Sequence, residues 1–427
     1  MLSPDKPERH LKNLEALLDV SKAMSSHLSL DALLQVIIEH TTREMKADRT
    51  TLFLFDEKEN TLWTKIAQGL ENSKIIRFPI GHGIAGHVAA TRQCANIPDA
   101  YADPNFNPAF DQQTGYQTRS VLCMPLMTSN KKLVGVIQVL NKKGGQPFDR
   151  DDESLLEALS IHAALALERS QLFEVAIEKQ RMDQALRLAH EIQMNLLPRG
   201  LPSGFNAKAI DLHAALIPAQ EVGGDLYDYF LIDETKLFFV IGDVAGKGVP
   251  AALFMAVTKT LIKAFARRGL QPHEILASVN EELCLNNDSC TFVTLFCGVL
   301  NPNTGELRFA NAGHNPPFFV SKDGIGEYLK MPDGMAAGIM SDAKFGARTM
   351  KLLPHDSLLL YTDGITEAIN AEDTFFSEKR LEQTIRNLHK GSSREIVEGI
   401  LKRVENFSEG RPQADDITLM NIRITKH

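Results

Sequence analysis

The chain has 427 residues, of which 44% are hydrophobic and 23% charged, enough for two or three domains, each with its own core. A formal net charge of −8 gives no electrostatic reason to expect nucleic acid or an anionic membrane as partner. No apolar stretch approaches the roughly 20 residues of a membrane helix, and the opening "MLSPDKPERH" has no apolar leader region.

Residues 11–24 and 30–46 carry apolar residues at helical spacing, the second with Ser29 as N-cap and Asp31 in its first turn. "TTLFLF", "TLWTKIAQ" and "KIIRFPI" are β-rich and separated by "DEKEN" and "GLENS", the pattern of strands. A short helix, "GIAGHVAATRQ", precedes an irregular stretch, "YADPNFNPAFDQQTGYQ". Two further strands follow, "SVLCMPLM" and "KLVGVIQVLN", and then a long helix opening near Asp149.

From Leu172 to Leu196 there is neither Gly nor Pro. A seven-residue repeat places Val175, Met182, Ala189 and Leu196 on one seam. Leu172, Leu186 and Gln193 lie on the other, interrupted by Lys179. Such a connector suits pairing with a copy of itself, although a single long helix packed on its own domain has the same pattern. Pro198 and "RGLPSG" end it.

Beyond about 205 the chain becomes β-rich. Strands are expected near 208–217, 226–232, 236–243, 291–300 and 305–311, then at "PFFV", "SLLLY" and "ITLMNIRIT". Helices are expected over 249–267, 272–285, 377–389 and 393–406. Neighbouring runs of strands, not one-for-one alternation with helices, predict an α+β domain built on a mostly antiparallel sandwich. The five cysteines, Cys94, Cys123, Cys284, Cys290 and Cys297, are scattered without C-x-x-C spacing. That favours a reducing, cytoplasmic setting over structural zinc.

Four stretches of this second half set acids beside strands: "VGGDLYDYF" with Asp225 and Asp228, "LFFVIGDVAGKG" with Asp243, "LLLYTDGITEA" with Asp363 and Glu367, and "QADDITLMNI" with Asp415 and Asp416. Singly, each is ordinary turn or strand-end chemistry. Gathered on one rim, these carboxylates would repel one another unless cations neutralised them. An all-oxygen donor set selects hard ions such as Mg²⁺ or Mn²⁺. Two such ions about 4 Å apart clamp a phosphoryl group and activate a water. Gly223, Gly224, Gly242 and Gly364 beside the acids permit close backbone approach. His314 in "NAGHNPP" is a candidate general acid, or else a loop histidine bonded to main chain. Lys247 either attracts phosphate or is simply solvated.

"PAQEVGGDLYDYF", "GDVAGKGVPAALFMA", "NAGHNPP", "YTDGITEA" and "ADDITLM" resemble, in order and spacing, the signatures of the SpoIIE-like (RsbU-like) serine phosphatases, a bacterial branch of the metal-dependent PPM phosphatases. The resemblance covers roughly 190–425, with "RLAHEIQMNLLPRGLP" similar to the helix that leads into that domain. It implies a PPM-type β-sandwich flanked by helices and two Mn²⁺ or Mg²⁺ ions. Asp243 would bridge both ions and the Val244 carbonyl would help hold one. Asp363 and Asp415 would bind the other, and Asp225 would act directly or through water. Asp243, Asp363 and Asp415 are thus the implied catalytic set. Asp416 stands where eukaryotic relatives place Asn, and Val244 where they place Gly. No arginine stands near "VGGD" to grip phosphate; Gln220 and Glu221 are there instead.

Residues 10–172, with "IGHGIAGHVAATRQ", "IPDAYADPNF" and "LMTSNKKLVGVIQVLNK", resemble a GAF domain, an antiparallel sheet with helices. Asn141, Lys142, Phe148, Asp152 and Glu153 follow the spacing N-K-x5-F-x3-D-E, similar to the signature of GAF domains that bind cyclic nucleotides such as cAMP or cGMP, where a Lys–Asp pair braces the pocket. Another small ligand, or none, is an equal alternative, since Asn-Lys at a strand end and acids in a first helical turn are ordinary. "YADPNFNPAF" would be the lid.

The organisation expected is a GAF sensor over 1–172, a helical connector over 173–198 that pairs two chains, and a phosphatase domain over 199–427. By resemblance, the substrate is a phosphorylated protein, often a STAS-domain anti-sigma factor antagonist. The alternatives are a non-catalytic signalling adaptor and a small-molecule phosphomonoesterase with the same dinuclear centre.

Overall fold

A computed structural model describes residues 30–64, 76–200, 209–285 and 287–425. It divides into two compact units, Met1–Arg181 and Met182–His427. The helix expected over 11–24 and the Ser29 cap lie outside the described residues.

In the first unit, α1 (Leu30–Glu44) leads into β1 (Ala47–Asp56), β2 (Thr61–Thr64) and β3 (Ile76–Pro79). Then come α2 (Gly83–Thr91), β4 (Ala95–Ile97), α3 (Ala109–Thr114), β5 (Val121–Met127) and β6 (Leu133–Lys142). The strands form one sheet in the order β3-β2-β1-β6-β5-β4, antiparallel at every pairing. Alternation along β1 sends Leu52 and Leu54 into a core with Ile37 and Ile38 of α1, and Phe53 to the opposite face with Ile84 and Val88 of α2. The stretch expected to be irregular holds α3 and a 3-10 turn at Ala100–Ala102. Asp99 caps the turn by accepting from Tyr101 N at 3.1 Å, and the buried Asp111 in α3 accepts from Thr118 N and Oγ1. These side-chain caps, not apolar periodicity, order the segment.

One helix, α4, runs from Arg150 to Leu196. Leu156, Ala163 and Leu167 near its start join the core under β1 and β6. Further along, Leu172, Val175 and Met182 are 66%, 68% and 59% exposed, as are Ile161 and Leu165 at 59% and 54%. These two earlier residues extend the heptad seams toward the helix start.

The second unit contains β7 (Ile210–Ile217), β8 (Leu226–Leu231), β9 (Leu237–Val244), α5 (Val249–Ala266), α6 (Pro272–Cys284), β10 (Val293–Asn301), β11 (Glu306–Ala312), β12 (Phe318–Val320), β13 (Gly326–Tyr328) and β14 (Ala347–Lys351). β15 (Ser357–Tyr361), α7 (Asp363–Thr366), α8 (Ser377–Leu388), α9 (Ser393–Ser408) and β16 (Ile417–Ile424) complete it. Two five-stranded sheets result, β14-β11-β10-β9-β8 and β13-β12-β15-β16-β7. Their inner faces share one core, in which Phe239, Ile241 and Phe296 of the first meet Leu360, Met420 and Ile422 of the second. The outer face of the first packs on α5 and α6 through Phe238, Val240, Met255 and Ile275. That of the second packs on α8 and α9 through Leu359, Leu419, Leu381 and Ile400. Both faces of each sheet are therefore covered, which is why "LFFVI" and "SLLLY" are continuously apolar.

Contrary to the expectation from sequence, one helix among the described residues, α5, is long and apolar enough by length and composition to cross a membrane. Here it packs by one face on the first sheet. Met255 and Ile262 are buried, and Lys259 Nζ lies 2.6 Å from the buried Asp228 Oδ2.

Candidate metal centre

Strand register explains how distant acids meet. β8 and β9 pair antiparallel with Leu226 opposite Gly242, so Asp225, just before β8, lies beside Asp243 at the end of β9. In the other sheet β15 and β16 pair with Tyr361 opposite Leu419. Asp363, the first residue of α7, therefore lies beside Asp415 and Asp416, just before β16. Hydrogen bonds close the gap between the sheets. The Asp225 Oδ2 accepts from Thr362 Oγ1 at 2.8 Å and from Thr418 Oγ1 at 2.6 Å. Asp416 Oδ1 accepts from Ala219 N at 2.8 Å, and its Oδ2 from Gly224 N at 2.6 Å.

Close approach of these strand ends requires glycine at two places. A Cβ on Gly224 would stand 2.8 Å from the Val244 carbonyl oxygen, and one on Gly364 would stand 2.0 Å from the Asp416 carbonyl oxygen. The glycines thus serve contact between the acid-bearing segments themselves.

The electrostatics are those of crowded anions. Burial first, and then the charge on Asp243, pushes the Asp225 carboxyl well above its usual range. Burial, then Asp363 and Asp415, raises Asp243 to about 7. Asp363 is raised by burial and by Glu367. Lys247 Nζ stands 3.1 Å from Asp415 Oδ2, a built-in cation on the rim.

Among the described residues no three Asp, Glu, His or Cys side chains form a ready-made cation cage. The donor set nevertheless fits hard divalent ions. It is oxygen only, it sets the buried Asp225 carboxyl beside the half-buried Asp243, and the mutual repulsion that raises both is what a divalent ion would relieve, with the Lys247 ammonium already beside Asp415.

Comparison with known proteins accords with this frame. Residues 233–425 match the family described as Stage II sporulation protein E (SpoIIE), and residues 29–167 match the GAF domain family. Residues 233–425 of the second unit form a SpoIIE-type domain. It stands in one chain with a GAF domain. Protein IcfG of Synechocystis is 31% identical over 264 residues, covering 56% of this chain and 41% of IcfG. Phosphoserine phosphatase RsbU of Bacillus subtilis is 29% identical over 248 residues, covering 57% of this chain and 71% of RsbU. The SiaA-PP2C domain of Pseudomonas aeruginosa superposes with a TM-score of 0.52 at 23% identity, over 58% of this chain and 99% of that one, a likeness of fold. The chain spans about two fifths of the length of IcfG.

Within the SpoIIE-type domain, Asp243, Asp363, Asp415 and Asp416 fall inside the family match and Asp225 precedes it. Asp228 does not join the rim. Its carboxylate lies against Lys259 and Lys263 and fastens α5 to β8. His314 is buried, its Nδ1 2.9 Å from Thr294 Oγ1, and burial pushes its imidazole down to about 4. A histidine that stays neutral there is a poor proton donor near pH 7. Through Thr294 Oγ1, which donates to the Asp243 carbonyl at 3.4 Å, it supports the end of β9.

In the GAF domain the five signature residues all take part in internal packing. Asn141, at φ 56°, accepts from Arg119 N and Ser120 N and donates to Tyr116 Oη and the Gln117 carbonyl. Lys142 pairs with Asp152 and, at 3.2 Å, with Asp149. Burial alone would lower this ammonium, but the two carboxylates outweigh it and raise it. Phe148 is buried, and Asn96 Nδ2 donates to its carbonyl and to Glu153 Oε1. The Lys–Asp pair joins the end of β6 to the start of α4.

Sequence reasoning missed Thr362 and Thr418, and placed Gln193 only on a helical seam, whereas its carboxamide bonds the main chain of Gly223. The available signal was a threonine next to Asp363 and another two residues after Asp416, each beside apolar strand sequence.

Proposed function

We propose that the chain is a metal-dependent protein phosphatase acting on phosphoserine or phosphothreonine, regulated through its GAF domain. The observation that carries this is the meeting of Asp225, Asp243, Asp363 and Asp415 at one rim of a SpoIIE-type sandwich. Asp243 would hold both Mn²⁺ or Mg²⁺ ions with help from the Val244 carbonyl, Asp363 and Asp415 would hold one, and Asp225 would hold its ion directly or through water. When bound, such ions supply an activated water and Lewis-acid stabilisation of the transferring phosphoryl group.

The chain's own residues do the rest. Asp225, fixed by two threonine hydroxyls, needs no reorganisation to bind. Lys247, 3.1 Å from Asp415 Oδ2, would be available to phosphate oxygens if a divalent ion took its place beside that carboxylate. This chemistry needs no cysteine, and Cys123 and Cys297 are buried, with burial raising both thiols.

The substrate is a phosphorylated protein, with a STAS-domain anti-sigma factor antagonist as the first candidate, in line with the phosphoserine phosphatase RsbU among the relatives. The sensor would span 1–172, the connector 173–198 and the catalytic domain 199–427, in the cytoplasm. A small molecule, with cAMP or cGMP the first candidates, would bind the GAF domain. The exposed heptad residues Leu165, Leu172, Val175 and Met182 would pair two chains as a parallel coiled coil.

Turnover of p-nitrophenyl phosphate with Mn²⁺, abolished in Asp363→Asn, tests the chemistry. Faster phosphate release from a phosphorylated STAS protein than from small esters tests the substrate class. An inactive wild-type chain with Mn²⁺ and both substrates present would refute the proposal.

A further inference from the structure

Helix α4 ends on the main chain of the loop that carries Asp225. Gln193, 4% exposed, presents both ends of its carboxamide to one residue: Nε2 donates to the Gly223 carbonyl at 2.6 Å and Oε1 accepts from Gly223 N at 3.1 Å. Three residues earlier, His190 Nδ1 meets the Glu221 carbonyl at 2.7 Å. On the far side of the same loop, Asp416 Oδ2 takes Gly224 N at 2.6 Å and Asp225 N at 3.4 Å. A Cβ on Gly223 would lie 2.1 Å from that carboxylate oxygen. The loop is thus gripped between a helix amide and a carboxylate, two residues before a buried Asp of the metal centre.

The heptad repeat puts Gln193 at a seam position, where an apolar side chain would serve pairing better. The structure gives it a different use: it is buried against its own domain, and Leu197 continues into the sandwich core. A two-point amide clamp fixes both the axial position and the rotation of a helix. A one-residue slide of about 1.5 Å, or a turn of about 100°, would break both bonds.

We propose that Gln193 is a positioning residue for the metal centre, setting the place of Asp225 through Gly223 and Gly224, so that the position of α4 is read as the position of one metal-holding carboxylate. This rests on the metal-dependent reading above. The test uses the full chain with Gln193→Met, similar in length but without hydrogen bonds, and Gln193→Glu, which can accept from Gly223 N but not donate to its carbonyl. Calorimetric titration with Mn²⁺ alone should show binding weakened about tenfold, the scale of one lost outer contact to a metal ligand. For p-nitrophenyl phosphate, kcat should fall by a similar factor with KM changed less than about twofold, and excess Mn²⁺ should restore part of it. Glu191→Ala, on the exposed side of the same turn, should match wild type.

Folded Gln193→Met or Gln193→Glu with wild-type Mn²⁺ affinity and kcat would overturn the proposal. So would fast hydrogen exchange at Gly223 and Gly224 in the wild-type, Mn²⁺-loaded chain, a measurement independent of how the variants fold. A wild-type chain that neither binds Mn²⁺ nor releases phosphate overturns the parent reading instead.

Discussion

Asp225 and Thr418 are joined by a hydrogen bond of 2.6 Å between residues 193 positions apart, one entering β8 of the first sheet and the other in β16 of the second. That bond, with its partner from Thr362, is where the two sheets of the sandwich agree on the place of a buried carboxylate. Replacing Thr418 by Val keeps the shape and removes the donor. Leaving a buried acceptor short of a partner should cost about 1–3 kcal/mol in urea unfolding, with a fall in Mn²⁺ affinity measurable by calorimetry.

His314 gives a pH prediction with a definite sign. Its imidazole is neutral in the fold down to about 4, against 6.5 for an ordinary histidine, so the unfolded chain binds the extra proton. Its contribution is complete above about 6.5 and is lost as pH falls toward 4, on the order of 3 kcal/mol in total. The stability difference between wild type and His314→Asn should therefore shrink over that interval in urea titrations. The pH–rate profile should show no limb assignable to this group near 6.5.

Lys247 competes with divalent ions for Asp415. Because both side chains are partly exposed, 45% and 37%, the ion pair contributes about 0.5–1 kcal/mol. Lys247→Met should accordingly tighten Mn²⁺ binding by about two- to fivefold while raising KM for p-nitrophenyl phosphate. Unchanged affinity in calorimetry would argue against the competition.

The Lys259–Asp228 pair is buried, with side chains 7% and 4% exposed. Removing Lys259 alone, as Lys259→Met, leaves Asp228 with only Lys263 at 3.7 Å and should cost roughly 3 kcal/mol in urea unfolding. Removing both charges, in Asp228→Asn with Lys259→Met, should recover much of that loss.

Pairing through α4 is tested by introducing charge on its exposed seam. Leu172→Glu combined with Val175→Glu should convert a dimer to a monomer in sedimentation velocity, without lowering the melting temperature of the SpoIIE-type domain. A wild-type chain that sediments as a monomer would remove the coiled-coil expectation.

The sequence by itself determined the α+β class, the helix near 249–267, the strands that lead to Asp243 and Asp363, and the order of five signatures. These are properties of local periodicity and of residues a few positions apart, which a linear chain displays directly. It also fixed the residue types of the rim. It could not show that Asp228 leaves the rim for Lys259, that His314 is buried neutral, that Gln193 abandons the heptad seam for Gly223, or that Thr362 and Thr418 hold Asp225. Each of these depends on partners 20 to 193 residues away, brought together only when two sheets share one core. Burial, hydrogen bonding and the charge felt by a carboxyl are properties of that packing, so only the tertiary structure could decide them.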